Sequence, residues 1–379
     1  MAAPRRLINL VDTYPNLSET FIERENEEMR RQGVEVEIVA LRGSENWRLR
    51  QGRVDAALVR AILKDSFSQP RRCLTLLRHA PQIAALSELL ERRPDAVLLA
   101  QFAWTPADVA RLAARRVGRS FAVRVHAWDV FTRSPRALWQ CLDSATSVIG
   151  CSQAVVEAVK ACGYPAEQTH LVHHGLPLDE DCWNWREPVA GCRMVGVGRL
   201  VPKKGIDLLI RACVELSRQG VDYEVEWIGD GPLRNSLERQ LAAAGPAVVE
   251  RFRFAGALTP DETRHRLQTA TLLVLPSRRL PDGDRDGIAN VLIEAAALGV
   301  PLVTTTAGSA SEVFRDGESA RLVPPDDVAA LAAALKDCLA DAALRKKLAA
   351  AARLVVERQF DLTRNTANLL QILAPLNRP

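Results

Sequence analysis

The strongest constraint on this chain is an alternation of short apolar runs with amphipathic helical stretches. In the first half "RLINLVD" (6–12), "EVEIVALR" (35–42), "PDAVLLAQF" (94–102), "FAVRVHAWDV" (121–130) and "TSVIGCS" (146–152) read as strands. Between them lie helical patterns such as "ETFIERENEEMRRQG", stopped by Gly33, and "SQAVVEAVKACG", with a Ser152 cap and a Gly163 stop. The second half repeats the scheme with strands "CRMVGVGRL", "YEVEWIGDG", "RFRFAGAL", "TLLVLPS" and "PLVTTT". Strand–helix–strand repetition implies parallel sheets with helices on both faces, an α/β doubly wound fold. A length of 379 residues exceeds what one core usually supports, so two such domains are expected. The polar stretch "LDEDCWNWREPVAG" (178–191) lacks periodicity and sets the expected division at 1–184 and 185–379. Two parallel α/β domains would face each other across a cleft lined by strand-to-helix loops, where open α/β sheets bind ligands.

Composition narrows the functional classes. Net charge is +4 (50 basic, 46 acidic), too mild to argue for nucleic acid, and no RNA- or DNA-binding signature is present. The eight cysteines form no C-x-x-C pair, so buried free thiols in a reducing cytoplasm are expected. The N-terminal apolar run is too short for a signal peptide, and no window is apolar enough to span a membrane. No H-E-x-x-H, D-x-D or acidic cluster with metal spacing occurs, so no metal is expected, and the tandem His173–His174 is too short-range to supply one.

Five loops are candidates for chemistry. In "GVGRLVPKKGIDLL", Arg199 and Lys204 sit between a strand and a helix start, an arrangement suited to phosphate oxygens. A solvated basic turn is the plainer reading, since the loop is neither a Walker loop nor a full dinucleotide fingerprint. In "WIGDGP", Gly229, Asp230 and Gly231 form a tight turn that either faces a nucleotide or only joins strand to helix. In "GDRDGIANVLIEAAALGV", Asp286 and Glu294 are eight positions apart, about 80° around a helix, so they do not share a face. Asp286 and Gly287 then belong to the loop, the helix starts near Asn290, and Glu294 lies about one turn in. Its apolar neighbours argue for a buried helix, where a carboxylate needs partners such as ribose or hexose hydroxyls. His126 closes a strand, in a structural or a ligand-facing role. Ser18, Glu19 and Thr20 follow the first strand and are explained equally by helix capping or ligand contact.

Taken in order, "SETFI", "HAWDVF", "HHG", "GRLVPKKG", "GDGP" and "D-G-I-x7-EA-x3-G-x-P", followed by "TTTAGSASEVFRDGESARLVPPDD", resemble the retaining glycosyltransferases of GT-B architecture. The closest flavour is the bacterial exopolysaccharide and colanic-acid type of glycosyltransferase group 1 / family 4. The resemblance spans nearly the whole chain. It implies transfer of a hexose from a nucleotide sugar, such as a UDP- or GDP-sugar, to a hydroxyl of a glycan or lipid-linked acceptor, without metal or separate cofactor. By the same resemblance Arg199 and Lys204 would hold the diphosphate, Glu294 the ribose, and Asp286 and His126 the transferred sugar. Gly229, Asp230, Gly287, Ile288, Ala289 and Asn290 would line the donor site, and Ser18, Glu19 and Thr20 the acceptor side. Asp286 stands where the family usually has Glu, Ala289 where it has Pro, and "GSASE" where it has "GGIPE". Competing readings are a donor-binding scaffold subunit of little activity and a sugar-nucleotide epimerase on the same fold. The basic and apolar mixture over 58–94 points to an anionic membrane surface as a partner or, more plainly, to packed helices, giving a cytoplasmic protein with peripheral attachment as the expectation.

Overall fold

The computed structural model describes residues 3–15, 19–44, 48–49, 51–67, 69–178, 186–189 and 191–377. Ser18, Cys182 and most of the polar stretch 178–191 lie outside these residues. The chain forms two compact units, Met1–Gly175 with Leu362–Pro379, and Leu176–Asp361. The first passage precedes the 184/185 division read from the sequence. Leu176 is already buried and its N–H donates to the Phe360 carbonyl at 2.8 Å, both within the second unit.

The first unit is built on six parallel strands: β1 Arg6–Tyr14, β2 Glu35–Gly43, β3 Ala96–Gln101, β4 Phe121–Val125, β5 Ser147–Gly150 and β6 Thr169–Leu171. Their order is β2-β1-β3-β4-β5-β6. Alternation along β1 sends Ile8 and Leu10 to one face and Leu7 and Val11 to the other, and each face carries its own apolar cluster. The second face is completed by the helix Leu362–Leu373, whose Leu369, Leu370 and Leu373 pack with Ile22, Met29 and Val34. The stretch 121–130 is not one strand as expected: pairing stops at Val125 and Ala127–Phe131 is a helix. The physical reason is a cap, because the His126 N–H donates to Asp129 Oδ1 at 2.8 Å and turns the chain out of the sheet.

The second unit has β7 Arg193–Val197, β8 Glu224–Ile228, β9 Phe252–Gly256, β10 Leu272–Leu275, β11 Leu302–Thr305 and β12 Arg321–Val323. They are parallel in the order β12-β11-β10-β7-β8-β9. Each sheet therefore has a point where strand order reverses, between β1 and β3 in one and between β7 and β10 in the other. Ligands of doubly wound sheets settle at the carboxyl ends of strands beside such a point. Among the described residues no helix is long and apolar enough to cross a membrane.

Candidate functional site

In the second unit the loops after β7 and β10 meet on Asp286. Lys204 Nζ lies 2.8 Å from Asp286 Oδ2, the Ser277 hydroxyl donates to the same oxygen at 2.7 Å, and Lys203 Nζ is 3.8 Å from Oδ1. Lys203 also pairs with Asp284 at 2.9 Å. Burial works to raise the Asp286 carboxyl, but Lys204, Lys203 and the Ser277 hydrogen bond outweigh it and hold it below the ordinary carboxylate range. The carboxylate is therefore ionised at neutral pH and clasped by two ammonium groups.

The backbone fixes this arrangement. Lys203 and Lys204 lie on a single 3-10 turn, Pro202–Lys204, ended by Gly205 in the left-handed region (φ +64°). A Cβ on Gly205 would lie 1.9 Å from the Pro276 carbonyl, so only glycine lets the turn sit against the end of β10. The Thr305 hydroxyl donates to the Ser277 carbonyl, and Ser309 N–H to the Gly287 carbonyl at 3.3 Å, strapping the loop that carries Asp286 to the end of β11 and the turn beyond it. The GDG turn comes against the same surface. Leu200 N–H donates to Asp230 O at 3.0 Å, and the Trp227 indole donates to Gly198 O at 2.9 Å. The Asp230 side chain closes its own turn on Gly231 N–H at 2.7 Å. Arg199 is exposed at the rim and forms no ion pair with a described residue.

The helix after the loop runs Asn290–Ala297, with Ala289 at its N-cap position. Ile288 and Ala289 pack against the core, and Glu294 is half-buried amid buried Val291, Leu292, Ile293 and Ala295. The loop-then-helix reading of Asp286 and Glu294 thus matches the observed elements. Sequence reasoning missed Ser277, Lys203 and Asp284. A Pro-Ser at the end of a strand and the first lysine of "PKK" were the only signals, and neither shows its partner.

In the first unit His126 is buried, and neither ring nitrogen has a hydrogen-bond partner among the described residues. Its ring stacks on His174 (centroids 5.2 Å, 7° between planes) and is flanked by Phe102 at 4.3 Å and Phe21 at 5.2 Å. His174 Nδ1 lies 2.8 Å from Glu25 Oε1, which also accepts from Arg124 Nη2 at 2.7 Å. Burial drives His126 well below the usual imidazole range and His174 down to about 4, so both rings are neutral at pH 7. Burial tends to raise the Glu25 carboxyl, but Arg124 and His174 keep it low. The network Glu25–Arg124–His174 was not foreseen, because its members are spread over 149 residues. Glu19 occupies the N-cap position of the helix Thr20–Arg31 without a side-chain capping bond, and Thr20 is half-buried at its start. Among the described residues no group of three or more ligating side chains could hold a metal.

Two family models match the chain: Glycosyltransferase Family 4 over residues 18–180 and Glycosyl transferases group 1 over residues 191–341. The amylovoran biosynthesis glycosyltransferase AmsK of Erwinia amylovora is 31% identical over 218 residues, covering 56% of this chain and 53% of the relative. The GDP-mannose-dependent alpha-(1-6)-phosphatidylinositol monomannoside mannosyltransferase of Mycolicibacterium smegmatis is 36% identical over 155 residues, 41% of this chain and 39% of that protein. The chain thus spans about half the length of the first relative and less of the second. Among solved structures, Anabaena Alr3699/HepE in complex with UDP-glucose superposes with a TM-score of 0.73 over 98% of this chain and 99% of that one, at 18% identity.

Proposed function

The chain belongs to the group 1 / family 4 glycosyltransferases of GT-B fold, and from that premise we propose that it moves a hexose from a nucleotide sugar to an acceptor hydroxyl, with retention, in the assembly of a surface polysaccharide. The observation that carries the reading is the Asp286–Lys204–Lys203 cluster at the β7/β10 reversal. Breaking the sugar–phosphate bond builds negative charge on the leaving diphosphate. Lys204, Arg199 and the turn before the helix Ile206–Arg218 supply positive charge where that charge develops. This set of cations does the work without a metal or a separate cofactor in the scheme. Asp286 faces the sugar, which gains positive character as the bond lengthens, and Glu294 accepts hydrogen bonds from the ribose hydroxyls. Gly229, Asp230, Gly287, Ile288, Ala289 and Asn290 line the donor. By the family resemblance His126 is assigned to the transferred sugar, and Ser18, Glu19 and Thr20 to the acceptor. The acceptor oxygen attacks on the face the diphosphate leaves, with a phosphate oxygen taking its proton.

AmsK, by its name, serves amylovoran biosynthesis, and HepE was solved with UDP-glucose, so an exopolysaccharide acceptor and a uridine donor are the first to test. Attachment to an anionic membrane is assigned to the helices Ala56–Ser66 and Pro70–Arg78 of this cytoplasmic protein. Leu63, Phe67 and Leu74 are exposed there beside Arg60, Lys64, Arg71 and Arg78. Screening UDP- and GDP-sugars by thermal shift, then assaying transfer by wild type and Glu294→Ala, tests the reading. One sugar nucleotide should raise the melting temperature, and the variant should lose transfer. Equal transfer by both proteins would remove Glu294 from the site.

A further inference from the structure

Two indoles stand in the open at the carboxyl ends of β3 and β4. Trp104 is 38% exposed and Trp128 44%, although large aromatics normally gain by burial. Their rings touch, with centroids 5.1 Å apart and 48° between planes, so they form one bent aromatic surface. Arg133 lies over Trp104 at 3.7 Å and covers one face of that ring.

The backbone beneath is organised to present them. After β3 ends at Gln101, Phe102 adopts φ +71°, a left-handed conformation that is strained for a bulky residue. Asp129 then ties the two turns together: one carboxylate oxygen accepts from Ala103 N–H at 2.5 Å and the other from His126 N–H at 2.8 Å. Trp104 follows Ala103 directly, and Trp128 lies between His126 and Asp129. Strain and a buried carboxylate are thus used to hold two exposed indoles in a fixed relation. His126, two residues before Trp128, has its ring packed against His174, Phe102 and Phe21 and keeps both ring nitrogens without partners among the described residues. A buried polar group of that kind points to a ligand that supplies hydroxyls.

We infer that Trp104 and Trp128 form the platform on which the acceptor glycan stacks, and that this acceptor presents at least two pyranose rings. The inference rests on the glycosyltransferase reading above. A pyranose offers an apolar C–H face to an indole and a rim of hydroxyls to polar neighbours, of which Arg133 lies on Trp104 itself. Two bases stacked in parallel need parallel faces, which two rings inclined by 48° do not offer. Two sugars joined at an angle follow the bend, one ring to each indole.

The test uses the whole chain without donor. Maltose, cellobiose, lactose, gentiobiose and α-1,6-mannobiose are titrated while indole fluorescence is followed, with a short oligothymidylate as the contrasting ligand. At least one disaccharide should give a saturable change. Its affinity should fall tenfold or more in Trp104→Ala and Trp128→Ala and return largely in Trp128→Phe, with the melting temperature and the UDP-glucose or GDP-mannose thermal shift kept. No saturable change with any disaccharide, equal affinity in the alanine variants, or binding of the oligothymidylate alone overturns the platform. With a transfer assay in hand, the same variants should raise the acceptor KM at least tenfold with the donor KM unchanged. An unchanged acceptor KM sinks the platform while the transferase reading stands. Tryptophan-dependent sugar binding without any transfer sinks the transferase reading while the platform stands.

Discussion

Asp286 keeps its charge in a buried place only because two lysines and a serine meet it there. Lys204→Met leaves the carboxylate with Lys203 at 3.8 Å and Ser277, and breaking a buried pair of this kind costs about 3 kcal/mol. The sign follows from the depressed folded-state value. The pair stabilises above the ordinary carboxyl value of 3.8, and the contribution disappears as pH falls through the lower folded value. Urea unfolding at pH 7 should therefore show the loss, and the gap between variant and wild type should narrow as the pH is taken below 3.8. The two neutral imidazoles of the first unit give a second pH effect. Below 6.5 the unfolded chain gains protons on His126 and His174 that the folded chain refuses, His174 until about pH 4 and His126 because burial holds it well below the usual imidazole range. Asp129 opposes this, because burial pushes its carboxyl up to about 7 against the N–H donors of Ala103 and His126, so the folded chain binds that proton first. Glu25, held low by Arg124 and His174, adds its own loss only below about 4.5. Two histidine protons against one from Asp129, with His79 and His170 also lowered by burial, leave stability falling as the solution is acidified between 6.5 and 4.5. Melting temperatures over this range should drop more steeply in Asp129→Asn and more gently in His174→Asn.

Turns and helices carry the next set of consequences. Gly205→Ala meets both left-handed strain and a collision with the Pro276 carbonyl, so a loss of at least about 2 kcal/mol is expected. Gly220 has nearly the same φ, +69°, but open space where its Cβ would go, so Gly220→Ala should cost only about 1 kcal/mol. Denaturant midpoints of the two variants measure the difference. The helix Ala56–Ser66 presents Leu63 and Phe67 one turn apart, with Arg60 and Lys64 along the same exposed stripe. If this surface seats on anionic lipid, Phe67→Asp should lower vesicle flotation several-fold without moving the melting temperature. Equal flotation of the two proteins would remove the assignment. Most of these elements were legible in the sequence, since apolar runs with glycine stops mark β7, β8, β10 and the helices that follow. The three-residue strands β6 and β12 were not, because three residues show no period. The end of β4 was misread because "HAWDV" continues an apolar texture, and only the Asp129 cap turns it into a helix. In the candidate site, the type and order of Arg199, Lys204, Asp286 and Glu294 were readable, but the clasp on Asp286 was not. It depends on Ser277 and Lys204 arriving from loops 9 and 82 residues away.

The molecule is two units, and one of them is interrupted by the other. Leu369, Leu370 and Leu373 come from beyond residue 361, yet they are almost wholly buried in the first unit. A chain ended at Asp361 loses that cover. At about 2 kcal/mol for each leucine, the transition of the first unit should fall by about 10 °C or more in calorimetry while that of the second stays in place. The same layout sets an order of events on the ribosome. The 186 residues of Leu176–Asp361 are all translated before the helix that closes the first unit, a delay of roughly 10–40 s at ordinary bacterial elongation rates. At the end of that interval the second unit has its full sequence and the first still lacks its closing helix. The nascent first half must wait with Ile22, Met29 and Val34 uncovered, which makes it, rather than the larger uninterrupted segment, the natural client of a holding chaperone.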